Sequence, residues 1–133
     1  MKKKSLQLGK KSKDKRATCL NCMDGRVQLP VLQWIKEQYK IDFVDVITEA
    51  GMDGILANER YIGEIIRSVN VSIKLNKSNR LFIVGHYDCR GNPVDAKVHR
   101  QEIKESVKRL STYWPKLAIV GLWVNNHWQV EVV

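Results

Sequence analysis

Four short apolar runs, 17–23, 43–47, 81–84 and 117–124, alternate with segments whose apolar residues recur at helical spacing. That alternation constrains the fold more than any other feature of the chain. Runs of this length are strand-sized, and turn signals bound them: Asp24-Gly25, Glu49-Ala50-Gly51, Gly85 and Asn125-Asn126. Between the first two, Pro30 sits just inside a helix start, with Val31, Leu32, Trp34, Ile35 and Tyr39 giving an amphipathic helix over 30–40. Leu56, Ile62, Ile65, Ile66, Val69 and Ile73 predict one long helix from Leu56 to about Leu75. A lysine-rich helix follows over 93–110, with Val98, Ile103, Val107 and Leu110 on one side. Residues 128–133 alternate as a fifth strand, paired as a hairpin with the fourth through Asn125-Asn126. Strand, helix, strand in repetition is the pattern of an α/β domain. The expected fold is a mainly parallel sheet with helices on both faces and an antiparallel C-terminal edge hairpin.

A chain of 133 residues with 44% hydrophobic and 28% charged residues has the composition of one globular domain. The longest nearly continuous apolar run, 117–124, falls far short of the ~18 residues of a membrane span, so no membrane partner is expected. No apolar segment follows the N-terminal charges, so a secretory signal is not expected either. The net charge of +9 is unevenly placed: residues 1–16 hold eight positive side chains against Asp14, leaving +2 for the other 117 residues. The chain therefore divides into a basic arm, 1–16, and a single domain, 17–133. Such an arm can bind nucleic acid or an anionic surface through counterion release. No aromatic residue interleaves its lysines, which favours a solvated tail over a nucleic-acid partner. Three cysteines, an odd number, fit thiols kept reduced in the cytoplasm and used for a metal or for catalysis.

In open α/β sheets, sites lie outside the carboxyl ends of the strands. Two loops with reactive residues stand there: Cys22-Met23-Asp24-Gly25-Arg26 after the first strand and His86-Tyr87-Asp88-Cys89 after the third. Cys22, His86 and Cys89 form a soft nitrogen–sulfur set suited to tetrahedral zinc, with two thiolates to neutralise its charge. The fourth position is open to water or to Asp24. Arg26 can instead hold the Asp24 carboxylate in a bidentate pair, leaving that position free. Cys19 offers a rival, closed site with Cys22, His86 and Cys89. Its place three residues before Cys22 on a strand argues for the core. Asp88 is expected to shape its loop, Glu49 either to line the pocket or to pair with Arg90, and His99 and His127 to lie on the surface.

Cys-x-Asp-x-Arg followed some 60 residues later by His-x-x-Cys resembles the β-class carbonic anhydrases. Residues 17–27 (ATCLNCMDGRV) and 81–89 (LFIVGHYDC) are similar to that family's two metal-binding segments, and Gly121 among apolar neighbours is similar to its closing strands. The resemblance implies zinc on Cys22, His86 and Cys89, with Asp24 and Arg26 as the dyad controlling the fourth position. It implies reversible hydration of carbon dioxide to bicarbonate, and a homodimer or dimer of dimers. Two positions depart from the family's pattern. Thr48-Glu49-Ala50-Gly51 replaces an Arg-Asn-Ala-Gly segment, and Arg90 stands where a glycine usually follows the second cysteine. A small subgroup with a Thr-Glu-x-Gly segment and a Gly-Asn-Pro after that cysteine is the nearest likeness. The departures leave two alternatives: a non-catalytic zinc protein on the same fold, or a hydrolase of carbonyl sulfide or carbon disulfide.

Overall fold

The structure, a computed structural model, describes residues 14–133. Most of the basic arm read over 1–16 lies outside the described residues, and Arg16 already belongs to the first strand. Five strands form one sheet: β1 (Arg16–Cys22), β2 (Phe43–Glu49), β3 (Arg80–His86), β4 (Ala118–Val124) and β5 (Val130–Val132). Their order is β2-β1-β3-β4-β5, parallel except for the antiparallel β4–β5 pair. The α/β reading with an antiparallel C-terminal hairpin is thus borne out.

Helices cover both faces. On one, α1 (Gln28–Tyr39) buries Val31 and Ile35 against Ala17, Cys19, Phe82 and Val84. On the other, α2 (Met52–Ala57) and α3 (Ile62–Lys74) bury Met52, Leu56, Ile65 and Val69 against Leu20, Leu81 and Ile83. There α4 (Ala96–Leu110) joins them, packed against β3 and β4. Leu20 faces one layer and Cys19 the other, as the two-residue period of a strand requires.

The expected long helix over 56–75 is two helices. Glu59 (φ 51°) and Tyr61 (φ 53°) adopt left-handed conformations between them, and the Asn58 side chain donates to the Gly54 carbonyl at 2.8 Å. That turn ends α2 before α3 starts. The surface position expected for His99 is also overturned. The buried stripe of α4 runs through His99, Ile103, Ser106 and Leu110, so the imidazole points into the core.

The connection from β1 crosses one face to β2 on one side, and the connection from β2 crosses the other face to β3 on the opposite side. The C-terminal ends of β1 and β3 flank that change of direction, where open α/β sheets leave a crevice. Cys22 ends β1 and His86 ends β3.

Candidate metal centre

Cys22, His86 and Cys89 come together across 67 residues of sequence, with one potential ligand atom from each within 4.8 Å of the others. All three side chains are buried. The sulfurs of Cys22 and Cys89 stand 3.9 Å apart. His86 Nδ1 lies 2.8 Å from the Tyr87 carbonyl oxygen, an acceptor, so this nitrogen carries the proton. Nε2 is then a bare lone pair, buried and without a hydrogen-bond partner. A buried polar atom of this kind needs a partner, and a cation between the two sulfurs would provide it.

The electrostatics of the trio agree. The hydrogen bond from Cys89 draws the Cys22 thiol down to about 3, against the opposing effect of burial. His86 and the backbone N–H groups of Gly51 and Asp24 help. The same bond to Cys22, reinforced by burial and by the Cys22 charge, pushes Cys89 up. Burial pulls His86 down, but Cys22 and the Tyr87 carbonyl outweigh it and leave the imidazole raised. The bare pair therefore gives up one proton readily and holds the second. Both sulfurs can be anions only around a positive charge.

Asp24 N-caps a 3-10 turn over Gly25–Val27, accepting from the Arg26 N–H at 2.9 Å. That turn swings the Arg26 side chain back onto the same carboxylate. Nη2 reaches Oδ2 at 2.8 Å and Nε reaches Oδ1 at 3.1 Å. This bidentate bond holds the Asp24 carboxyl down to about 2. Arg26 is held from two further sides. Nη1 donates to Asp88 Oδ2 at 3.2 Å, Nη2 donates to the Asp88 carbonyl at 3.0 Å, and the guanidinium lies 4.7 Å from the Trp128 ring centroid. Asp88 thus does more than shape its loop, although its left-handed φ of 57° shows that it does that too. Sequence reasoning missed Trp128 here: it approaches from the β4–β5 turn, and no spacing in the chain links it to Arg26.

Cys19 is fully buried in the core beneath α1, where burial raises its thiol to about 12, and it stands outside the ligand group. His127 is exposed. Glu49 and Arg90 are exposed and form no ion pair with each other. Glu49 contributes its carbonyl, which accepts from the Met23 N–H at 3.2 Å. Arg90 lines a cavity of about 320 Å³ with Cys22, Met23, Asp24, Gly25, Ala50 and Gly91. Larger concavities lie elsewhere, about 520 Å³ between α1 and the β5 end and about 500 Å³ beside Trp114. Neither contains a member of the trio, so the smaller cavity is the one with chemistry. A second cluster, Asp53, His99 and Glu102, also brings ligand-type atoms within 4.8 Å. The sequence carries a signal for it: His99, Ile103, Ser106 and Leu110 share one helical stripe.

Among the described residues, no helix is long and apolar enough to cross a membrane. No curated protein matches the chain significantly. A family model described as "Putative carbonic anhydrase" matches residues 12–133, spanning the segments that carry Cys22, His86 and Cys89 and every strand. The two loops, their order and the sheet that carries them place this chain in that carbonic anhydrase family.

Proposed function

We propose that the chain is a zinc-dependent carbonic anhydrase, converting carbon dioxide and water to bicarbonate and a proton, and the reverse. One observation carries the reading: three soft donors converge while the neighbouring Asp24 carboxylate, outside their group, is bound by both Nε and Nη2 of Arg26. Zinc fits the donors. Two zinc–sulfur bonds of about 2.3 Å at the tetrahedral angle put the sulfurs about 3.8 Å apart, close to the 3.9 Å found between Cys22 and Cys89. His86 Nε2 supplies the nitrogen. Bound there, zinc would supply the Lewis acidity that makes water a nucleophile near neutral pH.

The chain's own residues do the rest. Asp24 stays ionised throughout the neutral range and accepts a hydrogen bond from the attacking water, turning a lone pair toward the carbon of carbon dioxide. Arg26 keeps Asp24 in that place and off the metal. The Tyr87 carbonyl fixes the His86 tautomer. Met23 and Ala50 give the cavity apolar lining for an uncharged substrate, and Arg90 puts a positive charge where bicarbonate forms and leaves. Thiolate ligands suit a reducing compartment such as the cytoplasm.

The closed, inert alternative needs Cys19 or Asp24 as fourth ligand. Cys19 lies in the core and Asp24 is committed to Arg26. Carbonyl sulfide or carbon disulfide would undergo the same attack, and no feature of the cavity lining favours sulfur over oxygen. Replacing Asp24 by Asn keeps the shape and removes the charge. Stopped-flow hydration should then fall about 100-fold with zinc retained. Full activity in that variant would refute the role given to Asp24.

A further inference from the structure

Behind the trio lies a polar cluster in the core. Asp53 on α2 and His99 on α4 are each 1% exposed. His99 Nδ1 donates to Asp53 Oδ2 at 2.6 Å. Asn92, itself buried, donates through Nδ2 to Asp53 Oδ1 at 3.1 Å and to Glu102 Oε1 at 2.7 Å. The Gly54 N–H adds a bond to Asp53 Oδ1 at 2.9 Å, and Ser106 Oγ donates to the Glu102 carbonyl at 2.7 Å. A buried carboxylate is costly unless its oxygens are satisfied, and both oxygens of Asp53 are. His99 Nε2 is buried without a hydrogen-bond partner, but a cation among Asp53, His99 and Glu102 would have to displace the donors on both carboxylates, so we read the cluster as a framework.

Its position suggests its use. Asp53 lies two residues after Gly51, whose N–H donates to the Cys22 sulfur at 3.4 Å. Asn92 lies three residues after Cys89, on the loop that carries that ligand. The Asn92 side chain therefore ties the segment that serves one sulfur to the segment that serves the other. The two segments touch closely. A Cβ on Gly51 would stand 2.5 Å from the Gly91 carbonyl oxygen, one on Gly54 2.7 Å from Asn92 Cγ, and one on Gly85 2.4 Å from Asp53 Oδ2. Three glycines leave room for one network.

We propose that the Asp53–Asn92–Glu102 network, anchored by His99, positions the metal centre by holding the Gly51 N–H on the Cys22 sulfur and locking the Gly91–Asn92 loop that follows Cys89 against the Gly51 segment. Asn92 is its pivot and is a positioning residue. The inference rests on the reading of Cys22, His86 and Cys89 as metal ligands. Groups that orient metal ligands through their hydrogen bonds typically change metal affinity about 10–100-fold when removed.

The test uses the full chain and two readouts that do not depend on activity: zinc affinity by competition with a chromophoric chelator, and the sulfur-to-metal charge-transfer band of the cobalt-loaded protein. Asn92→Ala should weaken zinc binding roughly 10–100-fold and move the cobalt band. Glu102→Ala should act in the same direction, and Glu102→Gln, which keeps an acceptor for Asn92, should restore both. Leu110→Ala, buried at the last residue of α4 and outside the network, should lower stability and leave both readouts alone. Wild-type affinity and band in Asn92→Ala, or equal changes in Leu110→Ala, would overturn the proposal. If Asn92→Ala does not fold, the two Glu102 variants decide the same question. A wild-type chain that took up neither zinc nor cobalt would overturn the metal reading and this one with it. Tight wild-type binding with unaffected variants would overturn the positioning role alone.

Discussion

At the scale of single residues, the Arg26 guanidinium meets the Asp24 carboxylate, the Asp88 carboxylate and carbonyl, and the face of Trp128. Charge-assisted bonds to Arg26 lower the Asp24 carboxyl from 3.8 to about 2, so the ion pair's contribution to stability is present above about pH 4 and is lost as pH falls through 2. In Arg26→Ala the Asp24 carboxyl should titrate back toward 3.8, followed by carbon-13 NMR. A midpoint still near 2 would mean that another group holds the charge. Any loss of activity between about pH 8 and 5 then belongs to groups other than Asp24. The convergence of Cys22, His86 and Cys89 was legible in the sequence because residue type and strand-end position pick out all three. Asp88 was readable only as a loop residue. Its grip on Arg26 is a contact 62 residues away, which no local pattern encodes. The polar neighbours of His99 point to a surface position, whereas its spacing from Ile103 and Leu110 puts it on the buried stripe.

Among the elements, β3 shows how close packing builds the site. Gly85, one residue before His86, leaves the space that Asp53 Oδ2 fills. Gly85→Ala should cost about 1–3 kcal/mol in urea denaturation, because the intruding methyl meets a buried, hydrogen-bonded carboxylate. A cost below about 0.5 kcal/mol would mean that Asp53 can move aside freely. The strands and α1 were legible because short apolar runs and helical spacing differ in period, and Gly and Pro punctuate them. The break between α2 and α3 was not legible. Its left-handed residues are Glu59 and Tyr61 rather than glycine or asparagine, and Ile55, Leu56, Ile62 and Ile65 flank it with spacing that mimics one helix.

For the whole molecule, β2 is one of the two edge strands, with β5 at the other end, and among the described residues nothing pairs with its outer edge. Phe43 is 49% exposed and Val46 38% exposed on it. An unpaired edge with exposed apolar residues is where a second copy would be expected to dock. Light scattering should therefore give a dimer, and Val46→Lys should shift it to monomer. A wild-type monomer at micromolar concentration would refute the dimer. The α/β fold was legible from the alternation of strand-length apolar runs with helical spacing. The most direct test of the zinc carbonic anhydrase reading is stopped-flow hydration of carbon dioxide on metal-quantified protein across about pH 6.5–9, the range in which zinc would tune the acidity of water, beside Cys89→Ser. Activity that follows zinc content, rises with pH and vanishes in the variant is the expected result. A fully zinc-loaded chain with no hydration at any pH would contradict it.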